Sequence, residues 1–203
     1  EVHPDPVLRI ERRPVSTSPF TTRLFHAKRV QRNIIFQIEQ LYERYQRPVF
    51  LVGESLGGAV AILAALEVPD KVAGMVLAGP AVREGIRLRY GWNAAIASAA
   101  FLAPGYRLTV DRRPDDPHLA DHSAQRLATD PRVIRNVRMD AYWGLIKLAD
   151  SASDRAPSIQ TPSLLLYGGK DNSVPAAGIS HLHDHLANQG EYRFYPEGPH
   201  LLL

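Results

Sequence analysis

The strongest constraint in this chain is a short run, Gly53-Glu54-Ser55-Leu56-Gly57-Gly58, set between the apolar residues 48–52 and the alanine-rich residues 59–66. A strand that ends at a serine flanked by glycines and passes at once into a helix has to turn sharply, and small neighbours permit the turn. Ser55 is then exposed at its tip, where the hydroxyl can reach a base. The N–H of Leu56, at the helix start, can face a developing anion. A chain of ordinary composition and this length contains a GxSxG by chance in roughly one case in twenty, so the flanks decide between a nucleophile and a plain strand-to-helix turn. Strand-like residues before the motif and helix formers after it favour the nucleophile.

The rest of the chain supplies a frame for that turn. Its 203 residues suit one domain with a sizeable core, or a core with a small insertion. From Ala27 onward, apolar residues recur at Val30, Ile34, Ile38, Leu41 and Tyr45 with charged residues between them, which predicts an amphipathic helix ending near Gln46, ahead of Pro48. Residues 48–52 form a continuous apolar run, the pattern of a strand buried on both faces. Residues 72–77 repeat it after the alanine-rich helix, so this stretch reads as a βαβ unit with a parallel pair and a right-handed crossover. Residues 163–167 and 192–195 are two further strands, separated by a helix whose buried face carries Ile179, Leu182 and Leu186. One more short strand is predicted at residues 7–11, in a segment rich in proline, serine and threonine to which no chemistry is assigned.

The alternation breaks between residues 82 and 157. Helices are predicted at 92–102 and 133–148 with a turn-rich stretch from 104 to 121 between them, an insertion that looks like a cap over the carboxyl edge of the sheet. The expected organisation is therefore 1–81 as the first part of an α/β core, 82–157 as the cap, and 158–203 as the second part of the core.

Two residues that follow strand ends complete the chemistry. Asp171 comes after residues 163–167, and His200 after residues 192–195. Parallel strands put their carboxyl ends on one edge, so both positions share that edge with Ser55. A serine hydroxyl needs a base to take its proton, an imidazole suits that role near neutrality, and a carboxylate holds the ring in the right tautomer. Singly, Asp171 reads equally well as a turn residue and His200 as a surface residue. Together they follow the chain order Ser, Asp, His.

On these residues the chain resembles the monoacylglycerol lipase and bacterial lysophospholipase branch of the α/β-hydrolase superfamily. The likeness covers residues 27–203: the Pro-Val-Phe-Leu-Val-Gly-Glu-Ser-Leu-Gly-Gly elbow, the strand running to Pro80, the helical lid, Leu-Tyr-Gly-Gly-Lys-Asp with Val174-Pro175, and Tyr-Pro-Glu-Gly-Pro-His. The resemblance implies an α/β-hydrolase fold, a mostly parallel sheet flanked by helices with an inserted helical lid. It implies Ser55 as nucleophile, Asp171 as orienting acid, His200 as base and the Leu56 N–H as one oxyanion donor, acting on carboxylic esters of lipid-like acyl groups without metal or organic cofactor. Members of the family take a second oxyanion donor from a His-Gly loop after an early strand. Residues 1–47 contain no His-Gly and are too few for four earlier strands, so that donor stays unassigned and the first strands are expected to be shortened or missing. Two alternatives stay open: a hydrolase remnant that only binds ligand, and a thioesterase or acyl transferase using the same triad.

Composition removes other classes. With 24 Lys plus Arg against 21 Asp plus Glu, the net charge is only +3 and the basic residues are spread along the chain, so no nucleic-acid partner is expected. No cysteine is present, which excludes disulfides, thiol catalysis and zinc thiolates. No apolar stretch approaches the roughly 20 residues of a membrane span. The partner expected is a small lipid-like ester, the location cytoplasmic with peripheral membrane contact left open. Trp92, Ile96, Phe101, Tyr142 and Trp143, with Leu102 and Leu145, are candidates for an acyl pocket under the lid, though lid core accounts for them equally. His181, His183 and His185 are read as a solvated helix face rather than a metal site, and Arg83 with Arg87 as a solvated basic face. Glu54 is assigned no role.

Overall fold

A computed structural model describes residues 26–83, 86–186 and 190–203 of the chain. The strand predicted at residues 7–11 lies outside them. The first element is the helix α1 (His26–Tyr45). It ends where Gln46 turns to φ 53°, two residues ahead of Pro48. The strand β1 (Val49–Glu54) then leads into α2 (Leu56–Ala65), and β2 (Val72–Ala78) follows. After the insertion come β5 (Ser163–Gly168), α6 (Ala176–His185) and β6 (Gly190–Tyr195). These four strands form one sheet in the order β1-β2-β5-β6, every neighbouring pair parallel. Their carboxyl ends accordingly share one edge.

The core lies on one side of this sheet. All residues of α2 from Gly58 to Ala65 are buried, which is why the helix is apolar around its whole circumference rather than along one stripe. They pack against Met75 and Leu77 of β2 and Leu165 and Tyr167 of β5, with Ile38 of α1 and Ile179, Leu182 and Leu186 of α6 closing the cluster.

On the opposite face, among the described residues, no helix covers β1, and here the expectation of a strand buried on both sides is overturned. Phe50 is 73% exposed and Val52 65% exposed. A run of consecutive apolar residues signals two covered faces only when helices cover both, and among the described residues none on this face of β1 belongs to the core cluster. Near the amino ends of the strands this face holds an open hollow of about 520 Å³ lined by residues that include Phe50, Val76 and Leu164.

Between β2 and β5 run α3 (Ile86–Leu102), β3 (Arg107–Thr109), α4 (Asp121–Thr129), β4 (Asn136–Arg138) and α5 (Met139–Asp154). β3 and β4 pair antiparallel as a small second sheet. The helix expected over 133–148 is thus displaced: it begins at Met139, because residues 136–138 are drawn into pairing with β3. The turn-rich 104–121 stretch contains that partner strand, and α4 was not foreseen. Strands of three residues carry too short a pattern to read without their partners.

Arg83 corrects a further expectation, that it sits on a solvated basic face. Its backbone N–H donates to Ser153 Oγ at 2.6 Å, and its Nη1 donates to Asp150 Oδ1 and Asn93 Oδ1, both at 3.0 Å. Asn93 Nδ2 donates in turn to Asp150 Oδ2 at 2.6 Å. This half-buried network fastens α3 to α5 where the chain leaves the sheet. The side chain of Arg87 lies outside the described residues. α5 itself is shared: its carboxyl half contributes Leu148 and Ala152 to the sheet-side core.

The two faces should respond differently to truncation. Ile62→Ala, at a side chain with no exposed surface, should cost about 2–5 kcal/mol of stability. Val52→Ala on the open face should stay within about 0.5 kcal/mol, both read from denaturant unfolding.

Candidate active site

Ser55 stands between β1 and α2 with φ 52° and ψ −120°, a conformation that L-residues adopt rarely and at a cost. Backbone hydrogen bonds on both sides hold it there. Its N–H donates to Ala78 O at 2.9 Å, and its carbonyl accepts from Gly58 N at 3.0 Å and Ala81 N at 2.7 Å. Gly58 is needed for this closure, since a Cβ there would lie 2.6 Å from Pro80 Cβ. Leu56 is the first residue of α2, so its N–H has no partner within the helix and belongs to the positive end of its dipole.

Asp171 follows β5 by a tight turn. Its Oδ1 accepts from the N–H groups of Ser173 at 2.7 Å and Val174 at 3.0 Å, and its Oδ2 lies 2.8 Å from His200 Nδ1. Tyr167, at the end of the same strand, donates its hydroxyl to Val174 O at 2.9 Å and so braces the turn. Burial pushes the phenol of Tyr167 above its ordinary 10.0, helped by the Asp171 charge, which keeps the O–H a donor. The Asp171 side chain has no exposed surface. Burial pushes its carboxyl pKa upward, yet hydrogen bonds from His200, Val174 and Ser173 outweigh that and hold it below the ordinary 3.8.

His200 is buried, in the loop after β6, and its Nε2 lies 2.9 Å from Ser55 Oγ. The tautomer follows from the partners. An ionised Asp171 can only accept, so Nδ1 carries the proton, and the lone pair on Nε2 accepts from the Ser55 hydroxyl. Gly79, at φ 45° after β2, gives this pair room: a Cβ there would sit 3.2 Å from both Asp171 Oδ2 and His200 O. The insertion between β2 and β5 reaches the same loop, where His200 N–H donates to His118 O at 3.4 Å. The arrangement is a relay of two hydrogen bonds that can move a proton off Ser55 and leave the resulting imidazolium beside a fixed negative charge.

The structure thus brings together Ser55, Asp171 and His200, and it puts Leu56 beside them at the head of α2. The candidate pocket residues fare differently. Ile96 is buried in α3 at 6% exposure and Tyr142 and Trp143 of α5 are half-buried, whereas Trp92 at 54% and Phe101 at 81% face outward. A second cavity, about 500 Å³, lies beside the His200 loop and is lined by Leu166, Tyr195, Leu202 and Leu203 among others. None of the candidate pocket residues lines it.

The sequence reading missed Tyr167 and the N–H groups of Ser173 and Val174. An aspartate two and three residues ahead of free N–H groups is the signature of a side-chain turn, and that signal was available. It also assigned nothing to Glu54, whose Oε1 accepts from Leu202 N at 2.7 Å and Leu203 N at 2.9 Å. Among the described residues, no group of three or more His, Cys, Asp or Glu side chains is arranged to hold a metal. His181 and His185 have ring centroids 4.1 Å apart, and His185 Nδ1 is engaged with His181 O. No described helix is long and apolar enough to cross a membrane.

The chain is 28% identical to the monoacylglycerol lipase of Mycolicibacterium smegmatis over 73% of its length, and 29% identical to the human monoglyceride lipase over 85%. It spans little more than half the length of these relatives, 54% and 57%. Among solved structures, a monoacylglycerol lipase from Paleococcus ferrophilus superposes with a TM-score of 0.65 at 24% identity, covering 81% of this chain and 65% of that one. A soluble variant of the Saccharomyces cerevisiae monoglyceride lipase gives 0.69 at 15% identity, covering 89% and 63%. These likenesses identify the architecture as the α/β-hydrolase fold. The family model described as serine aminopeptidase S33 matches residues 25–203, and the chain belongs to that family of hydrolases.

Proposed function

We propose that this chain carries the catalytic machinery of a serine hydrolase that cleaves carboxylic esters of lipid-like substrates, of the monoacylglycerol or lysophospholipid type. The observation that carries the reading is the unbroken pair of hydrogen bonds from Ser55 through His200 to Asp171, at 2.9 Å and 2.8 Å. Ser55 Oγ attacks the ester carbonyl carbon while its proton passes to His200 Nε2, and the carbonyl π pair moves onto oxygen. The Leu56 N–H faces that oxyanion as one donor. Collapse of the tetrahedral species expels the alcohol, which takes the proton from His200 and leaves an acyl-Ser55. Water, deprotonated by His200, then releases the acid and restores Ser55. Asp171 stays ionised throughout and stabilises the imidazolium. These residues need no metal or organic cofactor for the cycle.

The substrate class rests on the lipase relatives and on the apolar character of the cap. Ile96, Tyr142 and Trp143 are proposed to contact the acyl chain from the cap interior. Trp92 and Phe101, exposed on the cap, instead suit peripheral contact with a lipid aggregate or membrane surface. The cap as a unit over residues 82–157, between core parts 1–81 and 158–203, is part of the same proposal.

Three measurements test the reading. A fluorophosphonate probe should label the folded protein and lose that labelling in Ser55→Ala, which should also reduce ester turnover on the order of a million-fold, by the magnitude found in other triads. Near-full activity in Ser55→Ala overturns the mechanism. Asp171→Asn should lower kcat about ten-thousand-fold while leaving the fold intact, because the neutral amide favours the wrong imidazole tautomer.

The third follows from the depressed Asp171 pKa, for which the folded state binds the proton less readily than the unfolded chain. Its contribution to stability is therefore present above pH 3.8 and is lost as pH falls below that through the folded value. The melting temperature of the wild-type protein should fall more steeply than that of Asp171→Asn in this acid window, and parallel slopes would count against an ionised, hydrogen-bonded Asp171.

A further inference from the structure

Glu54 is the last residue of β1, immediately before the nucleophile, and alternation along the strand puts its side chain on the sheet face opposite Gly53. Its carboxylate reaches across to the loop that carries the base. Oε1 accepts from Leu202 N at 2.7 Å and from Leu203 N at 2.9 Å, two and three residues beyond His200. The loop is also held upstream of the base, where Gly198 N donates to Tyr195 O at 2.9 Å and Gly198 O accepts from Lys170 N at 2.9 Å, and at the base itself, where His200 N donates to His118 O at 3.4 Å. Pro199 has no N–H to give. Beyond His200, the backbone N–H groups of Leu202 and Leu203 both donate to Glu54.

These bonds close a small ring. From Ser55 Oγ the path runs to the His200 ring, along the backbone from 200 to 202, across to the Glu54 carboxylate, and back to Ser55 through one peptide bond. Any movement of the His200 loop away from the elbow must lengthen either the Ser55–His200 bond or the Glu54 bonds. A carboxylate is well suited to the second task because a single ionised oxygen can accept two N–H groups, and charge-assisted bonds are shorter and stronger than neutral ones.

We propose that Glu54 is a positioning residue of the triad: by holding the N–H groups of Leu202 and Leu203 it sets the distance and angle at which His200 meets Ser55. The inference rests on the serine-hydrolase reading for its catalytic consequence. Glu54 touches neither substrate nor the reacting atoms, and acts through the backbone of the loop. Its effect belongs in the chemical step rather than in substrate binding, since a displacement of about 1 Å at a reacting pair costs roughly 100-fold in rate.

The test uses the full chain with three substitutions: Glu54→Ala removes the acceptor, Glu54→Gln keeps an acceptor oxygen without the charge, and Glu54→Asp keeps the charge but withdraws it by one methylene. Hydrolysis of a short p-nitrophenyl ester, the rate of fluorophosphonate labelling, thermal unfolding, and the low-field proton resonance of His200 Nδ1–H are measured for each. Glu54→Ala should lower kcat and the labelling rate roughly 10- to 100-fold with KM nearly unchanged, and should weaken the resonance in a protein that still unfolds cooperatively. Glu54→Gln should recover most of the rate and the resonance, and Glu54→Asp should fall between.

Wild-type rate and resonance in Glu54→Ala overturn the proposal, as does a Glu54→Gln variant as impaired as Glu54→Ala. If Glu54→Ala does not fold, Glu54→Asp decides: a lowered rate and altered resonance support the role, and wild-type values overturn it. Failure of the hydrolase reading is seen separately, as labelling that is absent in wild type or persists in Ser55→Ala. The His200 resonance, which reports geometry without turnover, then still decides the role of Glu54.

Discussion

The site depends on a backbone conformation that costs energy and is held by closure. Ser55 sits at φ 52° because its N–H and carbonyl are both engaged, by Ala78 on one side and by Gly58 and Ala81 on the other. Those bonds form only if α2 comes down close to the end of β2, and that approach is possible only with no side chain on Gly58 against Pro80. The burial of α2 from Gly58 to Ala65 supplies the force that keeps the helix there. Strain at the nucleophile and packing in the core are therefore one arrangement seen from its two ends.

Parallel pairing does the remaining gathering. β2 sits between β1 and β5, and β5 pairs with β6, so the residues after β1, β5 and β6 emerge at one edge although Ser55 and His200 are 145 positions apart in the chain. Short bonds then finish what topology begins. Tyr167 and the N–H groups of Ser173 and Val174 fix Asp171, Gly79 leaves space for the acid and base to meet, and Arg83, Asn93 and Asp150 fasten α3 to α5 just after the chain leaves β2. The depressed Asp171 pKa is a consequence of that bonding, since burial by itself pushes the other way.

Much of this was legible in the chain. The elbow, the four long parallel strands and the amphipathic α1 could be read because each rests on a local pattern: a turn that needs glycine, an apolar run, a four-residue spacing. The order Ser55, Asp171, His200 could be read because each residue lies in the turn or loop that follows a strand. Where the signal was short or shared, the reading failed. Residues 136–138 looked like the start of a helix, yet they pair with 107–109, and three residues carry no period of their own. Residues 48–52 looked buried on both sides, yet Phe50 and Val52 face outward, because an apolar run records the character of the side chains and not what covers them. Arg83 looked solvated, since nothing local shows that Asp150 and Asn93 come to meet it.

The sequence by itself determined which groups could do chemistry and in what order the chain presents them, because nucleophile, base and acid are properties of residue type and the strand ends are written in local patterns. Tertiary structure alone decided how far apart those groups stand, which imidazole nitrogen faces the serine, and that Glu54 grips the backbone beyond His200. Distances and hydrogen-bond partners between residues 148 positions apart are set by sheet register and helix packing, and no local pattern encodes either.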